Sequence, residues 1–224
     1  MTPLQPWTEL ARAQGPGGEQ LLLRQSGASF EIRCDGWDLM STRAHHSEQV
    51  LGRLGCAGLA GAPRVLIGGL GMGYTLRAAL DALPAAARVS VAEIFAQVVA
   101  WNRGPLAHLA GRPLDDARVQ VCCADVAQLL DGAAFDAVLL DIDNGPDAAM
   151  LARNTALYEH DGLRRLRSAL APGGRLAVWS ADRSPGFEAR LEACGFAWQS
   201  VEEPARGASA DPHHTLYLAV ASQP

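Results

Sequence analysis

Lysine is missing altogether: all nineteen basic residues of the 224-residue chain are arginines. That excludes a Schiff-base lysine and the lysine of a phosphate-gripping P-loop. No apolar run approaches the roughly eighteen residues of a membrane helix, so no membrane partner is expected. The opening stretch MTPLQPWTELARAQGPGGEQ has no basic segment leading into an apolar one. No signal peptide is therefore expected, and the expected location is cytoplasmic. Basic blocks are absent and the net charge is −5, which argues against nucleic acid as the main partner. Cysteine is sparse and odd in number: Cys34, Cys56, Cys122, Cys123 and Cys194, with no C-x-x-C spacing. A disulfide framework or a zinc site is not expected; buried free thiols are.

What remains has the composition of a globular α/β protein, 49% hydrophobic and 19% charged, and enough length for one large core. Residues 1–20, rich in Gly, Pro and Gln, read as a loose arm. LLLRQ, SFEIRC and WDLMST then read as short antiparallel strands separated by Ser26-Gly27 and Asp35-Gly36 turns, with Trp37 and Met40 as packing residues. From Ser47 to Leu59 the apolar spacing is helical, weakened at its end by Gly55 and Gly58. The expected division is residues 1–46 as arm and small β unit, and 47–224 as the main domain.

Beyond Ala62-Pro63, continuous apolar strands alternate with helical segments. The strands are RVLIGG, RVSVAE, RVQVCCAD, FDAVLLDID and GRLAVWS; the helices centre on 74–83, 95–102, 126–130, 158–170 and 185–194. This alternation predicts a mostly parallel sheet with helices on both faces. FAWQSVEEP and HHTLYLAVA predict a C-terminal antiparallel hairpin, with His213 and His214 in a solvated loop before the last strand. His45 and His46 point in different directions, which suits a helix start better than a metal pair.

Gly69, Gly71 and Gly73 follow the first of these strands and open a helix. Glycines there permit a tight turn and close backbone approach to a ligand. Glu93 ends the next strand, at the spacing of the acid that accepts ribose hydroxyls in nucleotide-binding α/β folds. Asp125 ends the third, where capping a helix and bonding an adenine amine are compatible. Asp141 follows the apolar run of the fourth strand, where a buried carboxylate can accept a proton or orient a cation. Around it, Asn144-Gly145-Pro146 is turn chemistry, and Asp143 and Asp147 complete a polar cluster.

GWDLMSTRAHHSEQVL, VLIGGLGMGYTLRAAL, VSVAEIFAQVV, VQVCCADVAQLL, FDAVLLDIDNGP and LYEHDGLRRLRSALAPGG, in that order over residues 20–200, resemble the spermidine synthase family. That family comprises polyamine aminopropyltransferases with a Rossmann-like class I methyltransferase fold. The resemblance implies a transferase that uses decarboxylated S-adenosylmethionine as co-substrate on a small amine, without a metal, as a homodimer or homotetramer. It implies that Gly69, Gly71 and Gly73 approach the nucleotide tail, that Glu93 holds the ribose and Asp125 the adenine, and that Asp141 is catalytic. Glu48, Asp143 and Asn144 are the candidate substrate-binding residues, and Asp147 adds to the negative field.

The chain departs from the family pattern in its glycine turn, which carries no carboxylate, and in Asn144, His46 and Ser47. Two alternatives follow: a methyltransferase that uses S-adenosylmethionine itself, and a non-catalytic protein that binds a nucleotide or polyamine.

Overall fold

The computed structural model describes residues 5–147 and 152–221. The chain opens with an antiparallel sheet of strands β1 (Thr8–Gln14), β2 (Gln20–Ser26), β3 (Ser29–Cys34) and β4 (Trp37–Ser41), paired in that order. The expected loose arm is thus in part a strand. Ala11 and Ala13 sit inward against the core while Arg12 and Gln14 point out. That period-two alternation is easily overlooked because alanine adds little to it.

Between β3 and β4 the turn places Asp35 and Gly36 at positive φ, as a two-residue hairpin requires. The register slips between Ile32 and Arg33, leaving Leu39 as the extra residue of a bulge. A bulge re-aims side chains locally: Leu39 and Met40 both face the cleft described below. Trp37, expected to pack, is instead 72% exposed.

Helix α1 (His46–Cys56) leads into a seven-stranded sheet of β5 (Arg64–Gly68), β6 (Arg88–Ala92), β7 (Val119–Cys122), β8 (Phe135–Leu140), β9 (Leu170–Ser180), β10 (Phe196–Pro204) and β11 (His213–Ala221). Their spatial order is β10-β11-β9-β8-β5-β6-β7. β5 to β9 run parallel, and β11 is inserted antiparallel between β9 and β10. The central strands are buried on both faces. Val65, Ile67, Val89, Val91, Ala137 and Leu139 join one core cluster, and Leu66, Ala92, Val138 and Leu140 the other. This explains why these segments read as unbroken apolar runs.

Helices α2 (Tyr74–Ala82), α3 (Ala96–Arg103), α4 (Ala152–Tyr158), α5 (His160–Ala169) and α6 (Pro185–Ala193) make the crossovers and outer layers. The helix expected over 158–170 is divided, because Glu159 is extended and caps α5. The helix expected over 126–130 is a single 3-10 turn, Val126–Leu129. Gly55 lies inside α1 and does not fray its end; a Cβ there would meet the Leu139 side chain at 2.8 Å. Gly52 likewise lets α1 approach α2, since its Cβ would lie 2.5 Å from the Thr75 carbonyl oxygen.

The five thiols are free, but the expectation that all are buried fails: Cys122 is partly exposed and Cys123 exposed. β7 is an edge strand, with solvent where another strand would lie. No helix among the described residues is long and apolar enough to cross a membrane.

Candidate active site

Strand order reverses beside β5, and ligands of open α/β sheets bind outside the strand ends at such a switch point. Here four strand ends meet a cleft that opens to solvent. Gly69 and Gly71 from the turn after β5, Glu93 after β6, Asp125 after β7, and Asp141 and Asp143 after β8 line it. Cys34, Leu39 and Met40 close it from the N-terminal sheet, and Ile94, Phe95, Val98, Val126 and Ile142 give it apolar walls.

The glycine turn is held by its own backbone. Gly69 N–H donates to Ala92 O at 2.9 Å and Gly73 N–H to Leu70 O at 2.8 Å. Glu93 lies buried beneath the turn and accepts from Leu70 N–H at 3.1 Å and Phe95 N–H at 2.9 Å. Burial pushes its carboxyl above the ordinary range, while the backbone amides of Phe95, Leu70, Gly71 and Ile94 oppose the shift.

Gly69 is left-handed, and a Cβ there would lie 2.1 Å from the Asp141 carbonyl oxygen, so only glycine brings these two strand ends together. Gly73 faces Pro113 and Asn102, away from the cleft wall. Asp125 caps the 3-10 turn by accepting Ala127 N–H at 2.9 Å, and it also lines the cleft.

At the other end, Asp141 N–H extends the β5–β8 ladder through Gly68 O at 2.9 Å. Its carboxylate accepts a short hydrogen bond from the Thr75 hydroxyl. Burial pushes its pKa up to about 6, against the lowering effect of Thr75. Glu48, on the first turn of α1, is also raised, by burial and then by the neighbouring charge of Asp141. Two carboxyls this close titrate as a pair and resist holding two negative charges.

Tyr74 is pushed up to about 12 by burial and by Glu48. His45 stacks on Tyr74 with ring centroids 4.2 Å apart, and its Nδ1 lies 2.9 Å from Thr42 O. Hence His45 does serve at the start of α1, as the residue just before it.

Asp143 reaches the cleft from a left-handed position, φ 60°. It accepts Asn144 N–H at 3.1 Å and Asn154 Nδ2 at 3.2 Å. Asn144 gives its carbonyl oxygen to Ala181 N–H at 3.1 Å and, like Glu48, is not on the cleft wall. Asp147 lies 3.7 Å from Arg190 on the outside and adds nothing to the wall.

Several contacts were not legible in the sequence. His214 is not in a solvated loop: it lies in β11, half-buried, and its Nδ1 is 2.8 Å from Ser47 Oγ. Trp179 Nε1 donates to the same Ser47 oxygen at 3.0 Å. Desolvation lowers the His214 pKa. Asn102 Nδ2 holds the glycine turn through Gly71 O at 2.7 Å. A lone polar residue on the apolar face of a helix was the only signal for Asn102, and nothing marked Thr75.

The strand order, with one antiparallel strand inserted near an edge, defines a Rossmann-like class I methyltransferase fold. No family profile and no curated protein matches the chain. Solved structures do. A spermidine synthase in complex with the transition-state analogue AdoDATO superposes with a TM-score of 0.72 at 15% identity, over 96% of this chain and 72% of that one. The spermidine synthase of Thermotoga maritima gives 0.73 at 16%, over 96% and 73%. A probable spermidine synthase from Corynebacterium glutamicum ATCC 13032 gives 0.63 at 15%, over 94% and 79%. The protein has the spermidine synthase-like fold, with the small antiparallel sheet placed before the seven-stranded one.

Proposed function

We propose that the protein is an aminopropyltransferase that takes decarboxylated S-adenosylmethionine at the glycine-turn end of the cleft and an amine at the Asp141 end. One observation carries the reading: two neighbouring carboxyls are held above the ordinary range, Asp141 on the cleft wall by desolvation and Glu48 beside it by desolvation and the charge of Asp141, while the other end of the cleft is finished by backbone. In this reading Glu93 holds the ribose, Asp125 the adenine edge, and Gly69 and Gly71 flank the sulfonium tail.

The amine nitrogen attacks the propyl carbon next to sulfur, forming a C–N bond. The C–S bond breaks with its electron pair going to sulfur, which leaves as a neutral thioether. Free alkylamines have a pKa of about 10.4, so the nitrogen must shed a proton to react. Asp141 is placed to take it, directly or through water. Asp143, on the cleft wall, holds the cationic remainder of the substrate, and holding both reactants in line lowers the entropic barrier.

The turn supports the decarboxylated donor. S-adenosylmethionine brings a tail carboxylate, which would need free donors. Here the turn amides of Gly69, Leu70 and Gly73 are already committed. Among the described residues the wall carries four carboxylates, Glu93, Asp125, Asp141 and Asp143, and no cationic side chain. A carboxylate tail meets repulsion there; an ammonium does not.

One feature favours methyl donation instead: the turn offers no carboxylate for that ammonium, and Met72 within it is buried. Incubation with each nucleotide and a diamine separates the readings. Methylthioadenosine release with the decarboxylated donor is expected. S-adenosylhomocysteine formation would establish the methyltransferase, and tight binding of either nucleotide without turnover would establish a binding protein.

A further inference from the structure

Thr75 offers one hydroxyl proton to two oxygen partners. Its Oγ1 lies 3.2 Å from the Glu48 carbonyl oxygen on α1 and in a short hydrogen bond with Asp141 Oδ2 after β8. The residue is 2% exposed, so water has little access to substitute for either partner. The Glu48 carbonyl can only accept. A carboxylate at Asp141 can also only accept, whereas a protonated carboxyl there donates. The direction of the hydroxyl is therefore tied to the charge on Asp141. The packing that sets this geometry is rigid, because Gly52 brings α1 against the Thr75 backbone with no room for a side chain.

We propose that Thr75 is a positioning residue that works as a two-position hydrogen-bond rotor: its hydroxyl donates to Asp141 while that group is ionised and swings to the Glu48 carbonyl when Asp141 takes a proton. This inference rests on Asp141 being the proton acceptor of the proposed transfer. As the attacking amine gives up its proton, Asp141 gains an O–H. That O–H donates to Thr75 Oγ1, and the threonine proton turns to Glu48 O. Thr75 gives a hydrogen bond to Asp141 in the ionised state and accepts one from it in the protonated state, so no buried polar atom is stranded when the charge moves. Without the hydroxyl, ionised Asp141 loses its donor, and the proton is taken without a compensating bond.

The groups that bear on Asp141 come from each neighbouring element: the Glu48 carboxyl on α1, Tyr74 on α2 with His45 stacked on it, Tyr158 at the end of α4, and Asp143 in the same loop. All are present in every Thr75 variant, so a change confined to Thr75 reports the rotor.

The test is the Asp141 titration midpoint, read by carbon-13 carboxyl NMR of the ligand-free protein, with Asp141→Asn assigning the resonance. Thr75→Val keeps the shape and removes the hydroxyl; Thr75→Ser keeps the hydroxyl and removes the methyl. Thr75→Val removes a charge-assisted bond from ionised Asp141 and a weaker neutral bond from the protonated form, so the midpoint should rise by roughly half a pH unit, with Thr75→Ser close to the parent. Thr75→Ala, expected to match Thr75→Val, serves if the valine packs badly. In turnover, the acid limb of kcat/KM should rise with the midpoint in Thr75→Val and stay in Thr75→Ser. A midpoint unmoved in both Thr75→Val and Thr75→Ala, moved equally in Thr75→Ser, or raised by well over about one pH unit in Thr75→Val and Thr75→Ala, the mark of a donor fixed on the charged form, overturns the rotor. The NMR midpoint needs no substrate, so a parent protein that turns over no amine overturns the transfer reading and leaves the hydrogen-bond exchange measurable by itself.

Discussion

At the glycine-turn end of the cleft, Glu93 is buried, yet backbone amides from Leu70 and Phe95 point at its oxygens. At the other end, Asp141 is supplied by the Thr75 hydroxyl and stands against a second carboxyl, Glu48. A carboxylate satisfied by amides is a structural member that also presents itself to a ligand. A carboxylate kept short of donors beside a like charge holds protons more tightly than it would in water. The first end is satisfied by its own backbone. The second is built to change charge.

The largest expected effect tests the second end. Asp141→Asn should lower kcat by about 10²–10⁴-fold, the range for losing a positioned proton acceptor. The same variant should be more stable than the parent near neutral pH. Burial raises the folded pKa of Asp141 from 3.8 to about 6, so the folded state binds more protons than the unfolded chain between those values. Parent stability therefore falls as pH rises through that window and levels off above it. The stabilisation in the variant should be on the order of 2 kcal/mol above pH 7 and vanish below pH ~4. Urea unfolding at both pH values reads it. An Asp141→Asn protein that is both active and no more stable than the parent would remove the contrast between the two ends.

Next in size is the join between the ends. Gly69 and Gly36 share a φ of 84°, but a Cβ on Gly69 would lie 2.1 Å from the Asp141 carbonyl oxygen, and one on Gly36 would meet nothing within 4 Å. Gly36→Ala should cost only the left-handed backbone penalty, about 1–2 kcal/mol. Gly69→Ala should cost at least about 2 kcal/mol more, because the strand end carrying Asp141 must move. Equal unfolding midpoints for the two variants would mean the strand ends are not in the contact described.

The strand ends were legible because they obey short-range rules. Apolar runs of five or six residues, followed by glycine or an acid, gave β5, β6 and β8 and put Gly69, Glu93 and Asp141 on one edge. The Glu48–Asp141 pairing was not legible, since it arises from α1 and α2 packing through Gly52, which no local pattern announces. The His214–Ser47–Trp179 cluster joins residues up to 167 positions apart. Trp37 is outward although its register sets it opposite buried Cys34, at the hairpin tip beside the Asp35-Gly36 turn. Local turn and period rules thus reached the backbone-built end of the cleft, while the charge-bearing end depended on tertiary contacts.

The smallest effect asks whether Asp125 belongs to the glycine-turn end as more than a cap. Its carboxylate accepts Ala127 N–H at 2.9 Å and also lines the cleft. Asp125→Ala removes both features and should cost about 1 kcal/mol of stability, the usual loss for a helix-start cap. Asp125→Ser keeps an oxygen able to cap and removes the carboxylate from the cleft, so it should recover most of that stability. Nucleotide affinity should nevertheless stay low in both variants, by up to about tenfold, or roughly 1.4 kcal/mol. Calorimetric titration with the decarboxylated nucleotide, set beside urea unfolding, separates the two roles. Should serine restore affinity along with stability, Asp125 only shapes the turn after β7, and adenine selection must come from the neighbouring backbone and the apolar wall of Ile94 and Val126.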